Sequence, residues 1–388
     1  MKTIEAAKLF KPYKIWVLAP FLESDDPNIQ HYYDFTHSIQ EFTKVFEELK
    51  ADWKWQPVTM ENYKSIIKSI AESKNGKTPL ILNICDGDEV NGAPGVSVIH
   101  ELEKYGLIYT GSDTHFYITT TSKIPMKKAF DKAGVPTANW RVITEKKGST
   151  KGIAKRVGTP IIIKPAVSGG SMGVSVKNVV NTEDELAKRV EEIYHGYRGW
   201  NLLADGLFVE QFITGPEFTT FITGSADDKS NCIVYEPVER TFHPSLPDAE
   251  KFLSFDRLWE IYEDETPMPE NGNFYEYQKV KGDQLVKALK KLSLNAYKAC
   301  GGKGYTRIDI RQDATTGKLY LLEVNAQCGL SEDENYTSIG AIIKASDVSY
   351  TEIIVEILKD ALRRSVMKII PIRRIKATRS GKPAQLNN

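Results

Sequence analysis

The chain has 388 residues with 51 basic and 51 acidic side chains, and 41% of it is hydrophobic, a composition typical of a soluble globular protein of two or three domains. The net charge of zero gives no electrostatic reason to expect nucleic acid or a membrane as partner. No apolar run approaches the ~20 residues of a membrane span, and the N-terminus lacks a signal-peptide core, so we expect a cytoplasmic protein. The four scattered cysteines form no CxxC pair, which indicates thiols rather than a zinc site.

The first third of the chain predicts an α/β layer with a mostly parallel sheet. Residues 14–19 and 79–84 are apolar strand candidates, and residues 29–50 between them carry apolar side chains at helical spacing. Alternating strands and helices of these lengths are typical of such a layer. Loops at the carboxyl ends of parallel strands usually face a ligand, which places residues 86–95 and 110–112 on the functional edge.

The middle of the chain alternates helical and extended patterns. The sequence SKIPMKKAFDKAGVPT predicts a helix that ends at Gly134, and residues 144–157 indicate a basic surface loop. Thr182 and Glu185 have the spacing of a capping box at the start of another helix. Residues 206–224 then predict a strand, a turn and a second strand.

The C-terminal part contains a long irregular stretch between helices. Residues 240–282 are polar and aromatic with little periodicity, which predicts a loop that covers a substrate. A helix is expected over 283–300, and an amphipathic helix over 348–366. Residues 367–388 predict a disordered basic tail.

A β-hairpin over residues 304–331 has a crowded polar face. Because side chains in a strand alternate between faces, one surface receives four polar residues and Leu321. The polar residues are Arg307, Asp309, Glu323 and Asn325. Two carboxylates and a carboxamide suit Mg²⁺, and an arginine beside them suits a phosphate. The pattern alone leaves a salt-bridged strand pair as the alternative.

Three further segments have the composition of a nucleotide site. Lys164 ends an apolar run and precedes SGGSMG, whose small residues let backbone N–H groups approach a phosphate, although an ordinary turn explains the glycines equally well. It is not a Walker A loop, because the lysine precedes the glycines. Lys123 opens the predicted helix and would by default lie on the surface. Residues 208–217, FVEQFITGPE, have the form of an adenine-reading hinge or of a plain β-meander.

In combination, these motifs resemble the ATP-grasp superfamily, and most closely its D-alanine–D-alanine ligase group. The motifs are Lys123, KP(x)₃GGSMG, GPEFT, GYTRID and EVN, and the resemblance runs from about residue 83 to 366. It implies a mixed α/β and α+β fold of three parts, in which ATP binds between two α+β lobes beside an N-terminal parallel-sheet domain. The implied boundaries are 1–118 for the N-terminal substrate-side domain, 119–213 for the central lid lobe, 214–366 for the catalytic lobe and 367–388 for the tail.

The resemblance also implies a role for each matching residue. Contacts with ATP phosphates would come from Lys123 and Lys164, under a lid loop of Gly169, Gly170, Ser171, Met172 and Gly173. Lys279 would match a lysine on the family's mobile loop that folds over ATP. The adenine hinge would be Glu210, Gln211, Phe212 and Ile213, and the ribose ligand Glu217. Two Mg²⁺ ions, for which Mn²⁺ could substitute, would be held by Asp309, Glu323 and Asn325. The transferring phosphoryl group and the oxyanion would be stabilised by Arg307, Ser171 and Gly329.

The implied reaction is ATP-dependent formation of an amide from a small-molecule carboxylate and an amine of amino-acid type, through an acyl phosphate. Departures from the family lie where it binds amino acids, in the stretches APFLESDDPNIQHYYDF, CDGDEVNGAPG and NAQCGLS. Acidic residues in the replaced loops, among them Asp86 and Glu334, indicate an amine-bearing substrate or else solvated loop charges. The alternatives are a D-alanine–D-alanine ligase itself, a ligase that acts on a peptide or protein end, and an ATP-binding regulatory protein without turnover. Family members are often dimers, which makes a homodimer the expected assembly.

Overall fold

The computed structural model describes residues 3–22, 34–74, 76–143, 150–196, 198–263, 265–268, 272–335 and 337–378. The helices are α1 (Thr3–Phe10), α2 (Thr36–Glu48), α3 (Tyr63–Ala71), α4 (Val96–Lys104), α5 (Thr114–Thr121), α6 (Lys123–Ala133), α7 (Ile153–Val157), α8 (Glu183–Tyr194), α9 (Phe255–Trp259), α10 (Asp283–Ala299), α11 (Ser338–Ser346) and α12 (Tyr350–Thr378). The strands are β1 (Tyr13–Pro20), β2 (Asp52–Val58), β3 (Thr78–Asn83), β4 (Ile108–Tyr109), β5 (Trp140–Ile143), β6 (Ile161–Pro165), β7 (Val179–Val180), β8 (Leu207–Gln211), β9 (Glu217–Thr223), β10 (Ile233–Val234), β11 (Val238–Phe242), β12 (Tyr275–Lys279), β13 (Tyr305–Gln312) and β14 (Leu319–Ala326). Among the helices in these ranges, none combines the length and apolarity that a membrane crossing requires.

The N-terminal sheet confirms the predicted parallel layer. Its strand order is β2–β1–β3–β4, and each neighbouring pair is parallel. Strand β2 was not predicted, because Lys54, Gln56 and Pro57 interrupt its apolar residues, as is typical of a strand at a sheet edge. The loops after β3 and β4 leave the carboxyl edge of this sheet, as expected.

Two antiparallel sheets follow. The first has the order β5–β8–β6–β7, and the second has the order β12–β11–β9–β13–β14, with β10 paired to β9. The predicted strand pair within residues 206–224 is thus divided, since β8 belongs to the first antiparallel sheet and β9 to the second. We refer to the parts built on these two sheets as the lid lobe and the catalytic lobe. The domain boundaries stated above stay predictions.

Local predictions are confirmed at several helix ends and corrected in three segments. Gly134 adopts the left-handed conformation after α6, and Thr182 with Glu185 forms the capping box of α8. Within 144–157, the described part contains helix α7, while 144–149 lie outside the described residues. The stretch 240–282 contains β11, α9 and β12, because aromatic side chains at its ends pack against each other. Helix α12 continues to Thr378, so the tail predicted from 367 is helical as far as it is described.

A buried glutamine joins the end of the catalytic hairpin to the N-terminal sheet. The Gln327 Nε2 group donates to the Asn83 carbonyl oxygen, and its Oε1 accepts from the Ser112 backbone N–H, both at 2.7 Å. Gln327 is 1% exposed and has a φ of 54°, so its backbone is held in the left-handed region. The two hydrogen bonds reach the last residue of β3 and the backbone after β4, and they fix the hairpin against that edge of the sheet.

We expect the change Gln327→Leu to lower the free energy of unfolding by about 3 kcal/mol, because it leaves two buried backbone groups without partners. Urea denaturation of both proteins measures the difference. Gln312→Leu is the matched control, since the Gln312 side chain donates only to an exposed turn carbonyl. Equal effects of the two substitutions would contradict the structural role of Gln327.

Candidate active site

The β13–β14 hairpin brings the four predicted polar residues to one face. Asp309 lies opposite Glu323, and Arg307 lies opposite Asn325. The Asp309 Oδ2 atom accepts from Arg307 Nη2 at 3.0 Å and from Asn325 Nδ2 at 3.1 Å. Its other oxygen accepts from the Thr219 hydroxyl on β9 at 2.9 Å. The carboxylate therefore has a fixed orientation on this face.

A β-bulge corrects the predicted position of Leu321. The register shifts after Asp309, so that Ile310 lies opposite Leu321 and Leu322 becomes the extra residue. Leu321 consequently packs in the apolar core with Ile308 and Ile310, instead of sharing the polar face with Glu323. A period of two in the sequence cannot reveal an inserted residue of this kind.

Lys123 at the start of α6 links the hairpin to the glycine-rich loop. Its Nζ lies 3.5 Å from Glu323 Oε2 and donates to the Ser168 carbonyl at 2.8 Å. Desolvation raises the pKa of Glu323, but Lys123, Arg307 and the more distant Lys164 outweigh it, and the resulting pKa lies below the usual range. Glu323 thus remains ionised beside Asp309, as a cation ligand must.

A second lysine cluster surrounds Glu210 on β8. The two oxygens of Glu210 accept from Lys164 and Lys127, each at 2.6 Å. Desolvation would raise the pKa of Glu210, but the two lysines bring it to about 2. The Glu210 side chain therefore faces the two lysines. Its role at the adenine hinge stays a prediction, and in this arrangement only its backbone would be available for a contact with adenine.

Lys127 was missed by the sequence analysis. It is fully buried, and its Nζ also donates to the Thr137 hydroxyl at 2.5 Å. The signal was present, because Lys127 follows Lys123 by four residues and so lies on the same side of α6. A lysine in a sequence rich in basic residues nevertheless gives no sign that it is buried.

The predicted lid loop is a compact turn between β6 and β7. It comprises Gly169, Gly170, Ser171, Met172 and Gly173. The Ser168 hydroxyl donates to the Met172 carbonyl at 2.6 Å, and the Met172 N–H donates to the Gly169 carbonyl at 3.0 Å. Gly170, Ser171 and Gly173 all have φ values between 53° and 73°, which is unusual for Ser171. The two hydrogen bonds close the loop into a turn.

The hinge segment lies between the lid lobe and the catalytic lobe. The N–H groups of Gln211 and Phe212 donate to the carbonyls of Asn139 and Pro160. The Ile213 carbonyl accepts from Arg311 Nη1 at 3.2 Å. The predicted adenine contacts of these residues stay predictions.

Glu217 has partners that the sequence analysis did not predict. Its carboxylate is buried between the guanidinium groups of Arg240 and Arg311, one on each oxygen. Desolvation raises its pKa, but the two arginines outweigh this effect and lower it. The predicted contact with ribose would require one arginine to give up an oxygen, and it stays a prediction.

Two predicted residues lie apart from the cluster. Lys279 ends β12 with an exposed side chain, and it forms no hydrogen bond or ion pair with the four hairpin residues. Gly329 is exposed in the turn after β14, and a β-carbon there would meet only Thr337 at an ordinary 3.7 Å. Their assigned roles stay predictions.

The hairpin face fits a hard divalent cation. Its donors are carboxylate and carboxamide oxygens, the class that Mg²⁺ prefers, and the two carboxylates have Arg307 and Lys123 as cationic neighbours. Within the described ranges, no group of three or more His, Cys, Asp or Glu side chains forms a metal cluster, which leaves the mixed set of Asp309, Glu323 and Asn325 as the candidate.

Comparison with known proteins shows to which family the chain is similar. The family model for the D-ala D-ala ligase C-terminus matches residues 129–359. A D-alanine–D-alanine ligase of Marinobacter nauticus is 31% identical over 265 residues, which are 68% of this chain and 70% of that protein.

Solved structures show the same fold. A Bacillus anthracis D-alanine–D-alanine ligase complexed with ATP has a TM-score of 0.63 at 18% identity, covering 92% of this chain and 99% of that one. The VanG D-Ala:D-Ser ligase of Enterococcus faecalis has a TM-score of 0.63 at 16% identity, covering 90% and 100%. The mixed fold expected from the sequence is thereby confirmed.

We expect Lys127→Met to lower the free energy of unfolding by about 3 kcal/mol, because Glu210 then keeps only Lys164 as partner for a buried charge. Denaturation in urea measures the effect. Lys128→Met is the matched control, since Lys128 is exposed on the same helix. If both variants unfold like the wild type, the buried pair does not contribute to stability as argued.

The region matched by the family model includes the hairpin face, the glycine-rich loop, the hinge, and Lys164 and Glu210 of the lysine cluster. This region is more than half of the chain. The similarity to the Marinobacter ligase covers more than two thirds of this chain and more than two thirds of that protein. This chain therefore belongs to the D-alanine–D-alanine ligase family of the ATP-grasp superfamily.

Proposed function

We propose that the chain is an ADP-forming, ATP-dependent carboxylate–amine ligase that joins two small molecules of amino-acid type through an acyl phosphate. The observation that carries this proposal is the register of the hairpin, which pairs Asp309 with Glu323 and Arg307 with Asn325. Family membership supports the reaction type, since the relatives are D-alanine–D-alanine ligases.

The nucleotide would lie between the lid lobe and the catalytic lobe. Lys123 and Lys164 come from the lid-lobe side, and each is already paired with a carboxylate, Glu323 and Glu210 respectively. Phosphate oxygens would compete for these lysines, while the backbone of the glycine-rich loop offers N–H groups at close range. Adenine would occupy the hinge from 210 to 213, where Phe212 supplies an aromatic face.

Asp309, Glu323 and Asn325 would hold two Mg²⁺ ions, whose positive charge neutralises the phosphate oxygens during transfer. Arg307 donates to Asp309 through both Nε and Nη2. Arg307 is therefore placed where it can turn from the carboxylate to a transferring phosphoryl group without leaving the hairpin face.

The reaction follows from positioning. A substrate carboxylate oxygen attacks the γ-phosphorus, the bond to the bridging oxygen breaks, and ADP leaves. An amine nitrogen then attacks the acyl carbon, phosphate leaves and the nitrogen loses a proton, which gives the amide. Arg307, with the backbone at Ser171 and Gly329, would stabilise the charge that develops on oxygen in the two steps.

The substrates are proposed from the loops that depart from the family. Asp86 follows β3 on the carboxyl edge of the N-terminal sheet. Burial is the largest cause that raises the pKa of the Cys328 thiol, and the charge of Asp86 adds to this rise. Cys328 is also within the field of Arg307 and Asp309. We infer that Asp86, at the carboxyl edge of the N-terminal sheet, lies close enough to the turn at Cys328 to favour a substrate that carries an ammonium group. A D-alanine–D-alanine ligase is the second candidate, because the relatives bear that name.

We expect Asp309→Ala to reduce amide formation at least about 100-fold, because a lost cation ligand costs several kcal/mol of transition-state stabilisation. The measurement is ADP release with Mg²⁺-ATP against pooled L- and D-amino acids, amines and small peptides, with product masses read in parallel.

Asp313→Asn is the control for this variant, since Asp313 lies in the turn of the same hairpin and accepts only from exposed groups there. ADP release that survives in Asp309→Ala would show that the hairpin face is not the catalytic centre. ATP binding without any product across the substrate pool would favour a regulatory protein.

We expect Asp86→Asn to lower kcat/KM for the amine-bearing substrate and to remove an acid limb from its pH profile. Surrounding protein desolvates the Asp86 carboxyl, which remains open to solvent on one side, and raises its pKa to about 6. Below that pH the wild-type residue is neutral and loses its attraction for an ammonium group, whereas Asn is neutral throughout. Steady-state kinetics from about pH 5 to about pH 8, a range that spans the titration of Asp86, measure kcat/KM for both proteins and test the expected loss of the acid limb.

Asp52→Asn is the control, because Asp52 begins β2 at the opposite edge of the same sheet and pairs with Lys77. An acid limb that persists unchanged in Asp86→Asn would assign it to another group and remove Asp86 from the substrate site.

A further inference from the structure

The segment between β11 and β12 leaves the catalytic sheet and crosses to the lid lobe. The two strands pair in register from Val238 with Lys279 to Phe242 with Tyr275, so the chain departs from and returns to one place. Between them, residues 251–263 lie against the glycine-rich loop, and we call them the strap. Helix α9 forms its centre.

The strap touches the glycine-rich loop at Gly170, whose φ is 53°. The Trp259 Nε1–H donates to the Gly170 carbonyl at 2.8 Å. A β-carbon on Gly170 would lie 3.0 Å from the indole Cζ2 atom, so the ring packs directly against the glycine backbone. Any larger residue at 170 would displace the indole.

This hydrogen bond sets the direction of the neighbouring N–H group. In a planar trans peptide, the carbonyl and the N–H point in opposite directions. Because the Gly170 carbonyl points at Trp259, the Ser171 N–H points away from the strap, toward the opposite side of the loop. Ser171 is the residue assigned to the reacting phosphoryl group.

The strap is anchored to the lid lobe next to the loop. The Phe255 N–H donates to the Val174 carbonyl at 2.8 Å, and the Val176 N–H donates to Glu265, just beyond the strap, at 2.8 Å. Asp256 is completely buried and binds Arg198 at 2.5 Å. Val174 and Val176 directly follow the glycine-rich loop, so two of these contacts hold the strap beside it.

The other end of the strap is anchored to the catalytic lobe and the hinge. The Lys251 carbonyl accepts from Arg311 Nη2 at 2.8 Å, and the Phe252 ring meets the Phe212 ring edge-on at 5.6 Å. Arg311 also holds the Ile213 carbonyl and Glu217. The strap therefore connects the hinge at one end with the tip of the glycine-rich loop at the other.

We propose that Trp259 is a positioning residue of the ligase reaction, which holds the glycine-rich loop so that the Ser171 N–H faces the transferring phosphoryl group and water is kept from the acyl phosphate. This inference rests on the proposed function, because the loop is assigned to ATP through it. Trp259 acts through Gly170 and does not itself meet the reacting atoms.

The test compares Trp259→Phe, which keeps a ring but loses the donor, with Trp259→Ala, which loses both. We expect the dissociation constant of a non-hydrolysable ATP analogue with Mg²⁺ to rise about fivefold in the first, the size of one ordinary hydrogen bond, and about tenfold or more in the second. Isothermal titration calorimetry measures this without any amide-forming substrate.

The second measurement is the ratio of ADP released to amide formed. We expect it to rise from about one in the wild type to about two or more in both variants, because a loosened loop admits water to the acyl phosphate. A merely structural role would not change this ratio. Trp140→Phe is the matched control, since its indole donates to Asp131 at 3.0 Å on an exposed surface.

The outcomes separate this inference from the function on which it rests. A wild type that binds the analogue and forms amide, with both Trp259 variants unchanged in affinity and in ratio, would overturn the strap inference alone. A wild type that binds no analogue would overturn the proposed function, and the strap inference with it. Raised dissociation constants and raised ratios in the Trp259 variants, with Trp140→Phe like the wild type, are the expected result.

Discussion

Charge balance on one strand face is the constraint on which the rest of the site depends. Asp309 and Glu323 lie directly opposite each other across β13 and β14, where like charges repel. Arg307 from the same face and Lys123 from α6 offset that repulsion. Since Lys123 belongs to the helix that leads into the lid lobe, balancing the hairpin also draws the two lobes together around the space where the nucleotide would bind.

The same principle operates around Glu210 and Glu217, where each carboxylate is shared between two basic groups. A carboxylate between two cations forms a group of three with a net charge of +1. Both groups, around Glu210 and around Glu217, lie beside the hinge. In the proposed reaction, the nucleotide phosphates would therefore approach a surface whose acids are already paired with basic groups. A phosphate could then take one lysine from a carboxylate that still keeps its second basic partner. No buried charge would be left without a partner.

Much of this arrangement was accessible from the sequence, because it depends on local periodicity. The hairpin, the helix over 283–300 and the capping box of α8 follow from spacing alone, and the glycine-rich loop was recognisable from its composition. What could not be predicted depends on contacts between distant residues. The arginines on Glu217 come from positions 240 and 311, and Trp259 meets a loop 89 residues earlier. The bulge at Leu322 is local, but an extra residue in a strand leaves no mark in an alternating pattern.

The hydrogen bonds of Gln327 have a consequence for how the enzyme selects its substrates. They tie the turn after β14 to the backbone at the end of β3 and after β4, so they hold the catalytic hairpin against the carboxyl edge of the N-terminal sheet. If the substrates bind at this edge, as proposed, the width of their space would be set by these two bonds before binding. The lid lobe, which makes neither bond, would then be the wall that moves to admit them.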